Sequence, residues 1–497
     1  MNVTTVVPVR RWPPLANNPS RVITRMFVPG QEGFEHRDSR TAAVLARVLA
    51  LDEQEAQSAL DDVVVRFDRR HRNLLEVFAD HASQVADRLQ PDYELTDTRR
   101  LLLGATFTSE YAIEGAALCN PSIVAHPDQS KVSVDGLRFV MSVRGIGEGH
   151  RSSIGFRTGT VDAAGQPTFD PAPLFATAGT IEPATLEASA FRSELDRVDG
   201  LGEDADHILG ALGPRFTHSE LHERLDKLQL NLTTRQGATR TTDLIRAIAR
   251  RSYAVAFSRE TPLPDRVLWP AMDAETHGME DARFVRFVDD DGSVTNYATY
   301  TAYDGTNIVQ QLLETADFET FTSSPIVGAA ATNKGLALFP RRIHGRFAAL
   351  SRWDRDTNSI AYSDSPRHWP SAARFQAPTR AWEMVQLGNC GSPIETDAGW
   401  LVLTHGVGPM RTYSIGAILL DLDDPTIVLS QLPHPLLTPV FEEQDGYVPN
   451  VVYSCGALVH ADTLVVPYGI GDAAIGVASV PMPDLLAALE PVDKALK

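Results

Sequence analysis

One hexapeptide, Gly278-Met279-Glu280-Asp281-Ala282-Arg283, sets two adjacent carboxylates beside an arginine and behind a glycine. The glycine allows a tight backbone turn before a strand. On a strand Glu280 and Asp281 point to opposite faces, so one can meet a substrate while the other is held by an arginine. A carboxylic acid in a partly desolvated cleft can keep its proton near neutral pH and serve as a general acid. The competing reading is a solvated hairpin with an ordinary ion pair. A second cluster runs Arg144-Gly145-Ile146-Gly147-Glu148-Gly149-His150-Arg151. No helix and no βαβ unit follow it, so a dinucleotide loop is rejected. Arg144 at a strand end, with His150 and Arg151 close by, could bind an anion or sugar hydroxyls, or the loop could simply be held by local hydrogen bonds. An exposed His405 is expected at the end of the strand Trp400–Thr404, and Asp472 closes Pro467–Asp472. HExxH, P-loop, GxSxG and EF-hand patterns are absent, which leaves metal, nucleotide and serine-hydrolase chemistry without support.

The elements that must position these groups fall into blocks. Residues 1–110 read as a helical extension: Asp52 and Glu55 have capping-box spacing, and Leu60, Val63, Val64 and Phe67 recur at helical intervals. Leu74, Leu75, Phe78, Ala82, Val85 and Leu89 form a second such face, and a helix is expected over Asp97–Thr106. These helices could pack on the main domain or make a homo-oligomer contact. From 111 to 187 the pattern turns to short β-rich runs, taken as a first propeller blade. A helical insertion is expected at 188–252, with helices near 204–212, 219–230 and 242–251. Its role is either a lid or subunit contact, or a surface decoration without chemistry. The remaining blades occupy 253–497. Asp-Gly turns at 135, 291, 304 and 445 separate the strands. Recurrent strand clusters of one size favour a mainly β propeller over a sandwich.

The 497 residues exceed one ordinary domain unless the architecture is a large repeat. A hydrophobic content of 43% supplies an ample core. Against 45 basic residues stand 64 acidic ones, a net charge of −19. Such a surface repels phosphate backbones and anionic membranes, so neither nucleic acid nor membrane is expected as a partner. The cysteines, Cys119, Cys390 and Cys455, are an odd and widely spaced trio. They imply no disulfide framework and no zinc site, and with no secretory pattern near Met1 a cytoplasmic location is expected.

With these residues in place, the chain resembles glycoside hydrolase family 130, the β-mannoside phosphorylases and related β-mannosidases. Gly278–Arg283 is similar to the family's Gly-x-Glu-Asp-x-Arg signature. Matches follow in order: Asn120-Pro121-Ser122, Leu338-Phe339-Pro340 with His344-Gly345-Arg346, Gly388 to Pro393, Gly399–Gly406 with Leu419–Pro425, Asn450-Val451-Val452, and Tyr468–Asp472. The likeness covers about residues 120–480 apart from the insertion, and the helical start suggests a longer subgroup. It implies a five-bladed β-propeller around a mannosyl pocket, and an inverting reaction in which inorganic phosphate, a co-substrate and not a cofactor, releases α-mannose 1-phosphate from a manno-oligosaccharide. It implies that Asp281 is the catalytic aspartate, acting through a hydroxyl of the bound mannose. Arg144 and His405 fall on positions for phosphate or the attacking nucleophile, and Asn120 and Asp472 on mannose-binding positions. Glu280, Arg283, Tyr303 and Asp304 complete the substrate-binding candidates. Gln386 stands where the family's phosphorylases carry lysine, so Arg151 or Lys334 is expected to compensate. The hydrolase pattern, a glutamate at Gln386 or His405, is also missing. The expectation is therefore a phosphorylase. A mannosidase using water and a catalytically silent sugar-binding propeller are the alternatives. No metal is expected.

Overall fold

The computed structural model describes residues 7–29, 37–86, 95–130, 132–196, 202–231, 242–243 and 245–492. It divides into two compact units, one of Asn18–Gly115 with Pro173–Ala178, the other holding the rest of the chain.

The smaller unit is built on four helices, Arg37–Ala50, Glu53–Phe67, Leu74–Ala86 and Asp97–Thr106, with an antiparallel strand pair, Val22–Met26 and Thr108–Ala112. The expected capping box is formed: Glu55 N–H donates to Asp52 at 2.8 Å and Asp52 N–H donates to Glu55 at 3.0 Å. Leu60, Leu74, Phe78, Val85 and Leu102 meet in its core. Leu75 faces outward, since it sits next to Leu74 on a helix that buries only one stripe. Leu89 lies outside the described residues. The helical extension does not span 1–110 without interruption. Residues Arg10–Leu15 form a strand that belongs to the larger unit, because its backbone pairs with Ala474–Pro481.

In the larger unit the β-rich runs fall into five groups, called sheets below, whose long strands pair antiparallel; the first two are parts of one twelve-stranded sheet, joined where Gly278 pairs in parallel with Ser152. The first holds Ala117–Ala125, Leu137–Ile146, Ser152–Val161 and Pro167–Phe169. The second holds Gly278–Val288, Val294–Tyr303, Ile308–Thr315 and Thr320–Pro325, extended by Tyr253–Ala256 and Thr180–Pro183. The third runs from Ala337–Leu338 to Ala372–Gln376, and the fourth from Gln386–Asn389 to Val428–Gln431. The fifth pairs Val452–Tyr453, Thr463–Ile470 and Ala474–Pro481, and Arg10–Leu15 completes it.

Alternation along each strand explains how the sheets stack. Successive side chains point to opposite faces, and here both faces are buried. Phe284 joins the core between first and second sheets, while Val285 and Phe287 join the core between second and third. Ala349 faces the second sheet and Leu350 the fourth. Val402 packs back on the third sheet and Leu403 forward on the fifth. Val466 meets the fourth sheet, and Val465 packs with Leu118 and Met141 of the first. Each sheet thus shares a core with the next, and the fifth shares one with the first. Hydrogen bonds near the first strands repeat that order: Phe284 N–H donates to Ser122 Oγ at 3.0 Å, and Cys455 N–H to the Pro121 carbonyl at 2.9 Å.

The insertion contributes helices Ala188–Leu195, Gly202–Leu209 and His218–Asn231, and residues 242–243 and 245–249 are also helical. Phe191, Leu221, Leu225, Ile245 and Ile248 give it a core of its own.

Candidate active site

The inner ends of the sheets surround a cavity of about 420 Å³. Two bulges aim side chains into it. Strand Gly278–Val288 loses its register between Glu280 and Arg283, and Ala117–Ala125 loses it between Cys119 and Ser122. At these bulges Asp281 and Asn120 take φ of 55° and 48°, a left-handed backbone that costs a non-glycine residue on the order of 1 kcal/mol or more. The payoff is convergence: Asn120 Nδ2 donates to Asp281 Oδ1 at 2.6 Å. Asp472 reaches the same cavity from the turn after Thr463–Ile470, where it too takes a left-handed φ, 49°.

Arg144, on Leu137–Ile146, spans the two carboxylates of the hexapeptide. Its Nη2 donates to Glu280 at 2.5 Å, and its Nη1 lies 3.4 Å from Asp281. Lys334 Nζ stands 3.9 Å from the other oxygen of Glu280. Glu280 is therefore the carboxylate held in place, and Asp281 the one presented to the cavity. Arg283 sits behind the wall, donating to the Asn389 carbonyl and side chain and to Tyr453 Oη at 2.6 Å.

Burial alone would raise the Asp281 pKa. Arg144, Lys334, the Asn120 hydrogen bond and Arg283 outweigh it and hold the carboxyl below the usual carboxylate range. The expectation that this carboxyl keeps its proton near neutrality is corrected: four positive or donating neighbours make it a carboxylate. The raised group is Asp472, pushed up to about 6 by burial and by the charge of Asp281.

His405, expected as an exposed residue at a strand end, is instead fully buried within strand Gly399–Val407, because the strand continues past it; burial with Arg352 and Arg283 keeps its pKa well below the ordinary value, so the imidazole is neutral. Its Nδ1 lies 3.1 Å from the Asn389 carbonyl. A carbonyl only accepts, so Nδ1 carries the hydrogen and Nε2 is left as an acceptor. Tyr413 stacks on the imidazole at 6.2 Å, and Tyr453 meets it edge-on at 5.0 Å. Arg352, only 7% exposed, enters beside them past Gly388. A methyl group on Gly388 would lie 2.6 Å from His405 Cε1 and would also crowd the Arg352 side chain.

Asn120 Oδ1, Arg144 Nε, Arg352 Nε and His405 Nε2 are buried polar atoms without a hydrogen-bond partner, and all four belong to cavity-lining residues. Unsatisfied groups are costly, and these two donors and two acceptors on one cavity mark a place for a polar ligand that both accepts and donates hydrogen bonds. Among the described residues no cluster of side chains could hold a metal ion.

Of the residues singled out in the sequence, Asn120, Arg144, Asp281, Lys334, His405 and Asp472 line the cavity, and Glu280 and Arg283 brace it from behind. Arg151, Tyr303 and Asp304 do not line it. Arg151 lies over the Trp269 ring at 6.0 Å, Tyr303 Oη donates to the Gly305 carbonyl at 2.7 Å, and Asp304 accepts from Thr306 and Asn307 N–H groups in its own turn. Sequence reasoning missed Asn333, Arg352, Arg355, Arg411, Tyr413 and Tyr453. Arg352 could have been found, because it follows strand Phe347–Ser351 as His405 ends its own run.

A family model described as β-1,4-mannooligosaccharide phosphorylase, of glycoside hydrolase family 130, matches residues 248–490. The 1,2-β-oligomannan phosphorylase of Thermoanaerobacter sp. (strain X514) is 34% identical over 247 residues, which are 48% of this chain and 80% of that protein. The β-1,2-mannobiose phosphorylase of Listeria innocua is 31% identical over 235 residues, 45% of this chain and 63% of that protein. A crystal structure of β-1,2-mannobiose phosphorylase from Listeria innocua superposes with a TM-score of 0.45 at 21% identity, covering 75% of this chain and 92% of that one. With a strand-built core, a polar cavity and these matches, the chain is a carbohydrate-active enzyme. It belongs to glycoside hydrolase family 130.

Proposed function

We propose that the chain is an inverting β-mannoside phosphorylase, built as a five-bladed β-propeller whose blades are the five sheets and whose central pocket is the cavity at Asp281. The observation that carries this reading is the Asp281 carboxylate in a cavity that also holds Lys334, Arg352 and the unpaired His405 Nε2. Relatives named as mannoside phosphorylases support it.

In this mechanism Asn120 and Asp472 hold the mannose, and Asp281 exchanges a proton with the glycosidic oxygen through a mannose hydroxyl. Phosphate attacks C1 from the other face, the C1–O bond to the leaving sugar breaks, and α-mannose 1-phosphate forms. Phosphate supplies the nucleophile that a second carboxylate would otherwise activate. Its negative charge offsets the field of Lys334 and Arg144 and raises the Asp281 pKa at the moment a proton is needed. His405 Nε2, an acceptor, suits a P–OH group. Lys334 offers the flexible cation that Gln386 cannot.

Asp281→Asn tests the assignment. It should lower turnover of a β-mannooligosaccharide about 10²–10⁴-fold while ligand binding persists by calorimetry. Undiminished turnover would overturn it.

A further inference from the structure

The cavity carries more positive charge than a mannose and a phosphate require. Its lining includes five cations, Arg144, Lys334, Arg352, Arg355 and Arg411, against the carboxylates Asp281 and Asp472. Arg144 is spent on Glu280 and Asp281, and Lys334 stands beside Glu280. Arg352 is the buried cation next to His405. Arg355 and Arg411 remain.

Neither of these two makes an ion pair or side-chain hydrogen bond among the described residues. Arginines elsewhere on the same sheets are engaged: Arg341 with Glu395, Arg342 with Asp289, Arg346 with Asp364 and Arg374 with Asp354. Arg355 and Arg411 occupy matching places, in the connections after strands Phe347–Ser351 and Gly399–Val407. Both have left-handed backbone, φ 73° and 54°. That conformation is uncommon for arginine, and both side chains are exposed and line the cavity. On a chain of net charge −19, two guanidinium groups without an ion pair, the charge of Arg411 also acting on Asp472, make the pocket a local attractor for anions.

We infer that the sugar on the leaving side of the scissile bond is itself anionic, a phosphorylated or carboxylated sugar, and that Arg355 and Arg411 bind its charge. The inference rests on the phosphorylase reading above. In the synthetic direction the C1–O bond of α-mannose 1-phosphate breaks and phosphate leaves with the electron pair. The acceptor hydroxyl forms the new C1–O bond, and its proton passes through the mannose hydroxyl to the Asp281 carboxylate. Planar, forked guanidinium groups suit either a phosphate ester or a carboxylate.

The experiment uses the full chain, α-mannose 1-phosphate as donor, and matched acceptors: mannose and glucose, mannose 6-phosphate and glucose 6-phosphate, and glucuronate. Release of inorganic phosphate and the disaccharide product are both followed. The anionic acceptors should exceed their neutral counterparts in kcat/KM by about tenfold or more, and the advantage should shrink as salt rises. The sugar phosphates and glucuronate tell an ester from a carboxylate. In Arg355→Gln and Arg411→Gln the anionic-to-neutral ratio should fall toward one. Equal or better use of neutral acceptors overturns the inference, and so does an anionic preference that survives both substitutions. Absence of transfer to every acceptor overturns the phosphorylase reading and this inference with it.

Discussion

At the scale of single residues, the site separates three carboxylates by their surroundings. Glu280 is consumed by Arg144, Asp281 is held as a carboxylate by several donors, and Asp472 is pushed up to about 6 by burial and by Asp281. The last shift gives a pH signature. An ionised Asp472 accepts hydrogen bonds from sugar hydroxyls more strongly than a protonated one. The kcat/KM for the mannoside should therefore rise with pH through about 6. In Asp472→Asn that inflection should vanish along with much of the sugar affinity. A profile of wild type and variant with the same inflection would assign the titration to another group. Asp281, its pKa lowered, adds no inflection above the ordinary carboxylate range in the free enzyme.

These residues differ in how legible they were. Asn120, Arg144, Asp281, His405 and Asp472 stand at strand ends or beside glycines, where short-range pattern locates them. Arg355 and Arg411 do not, because their direction depends on a left-handed backbone at a non-glycine residue, which no propensity announces. Asp304 shows the converse. An Asp-Gly pair is a hairpin signal, and its carboxylate is used up by the turn it makes.

Among the elements, glycine-bearing strands set the clearances. Strand Gln386–Asn389 passes His405 and Arg352 so closely that only hydrogen fits at Gly388. Gly388→Ala should force both side chains aside, at a cost of roughly 1–3 kcal/mol. Because the proposed mechanism offers the displaced groups to phosphate, the KM for phosphate should rise about tenfold or more. The KM for the mannoside should change less. A uniform loss of both would mean that the strand as a whole had shifted. The strands themselves were readable from alternation and Asp-Gly turns. Their pairing into successive sheets was not, since two-sided burial makes every strand look alike.

For the whole molecule, one strand of the fifth sheet comes from a segment far from the site in sequence. Arg10–Leu15 adds to the fifth sheet, and Trp12 Nε1 donates to Ser479 Oγ at 2.7 Å. That sheet also carries Asp472. A chain lacking residues 1–17 should lose thermal stability, by on the order of 5 °C, and activity with it. Scanning calorimetry and turnover would measure both, and unchanged values would show the strand to be dispensable. This segment was read as part of a helical extension, because a lone strand whose partner lies over 450 residues away leaves no local signal. Among the described residues no helix is long and apolar enough to cross a membrane.

The account turns on phosphate entering the cavity beside Asp281 as the nucleophile. Incubating the chain with a β-mannooligosaccharide in phosphate buffer and in phosphate-free buffer, with products followed by phosphorus and proton NMR, tests this directly. α-Mannose 1-phosphate is expected in the first case and no appreciable turnover in the second. Free mannose released at the same rate in both buffers would contradict it and make water the nucleophile.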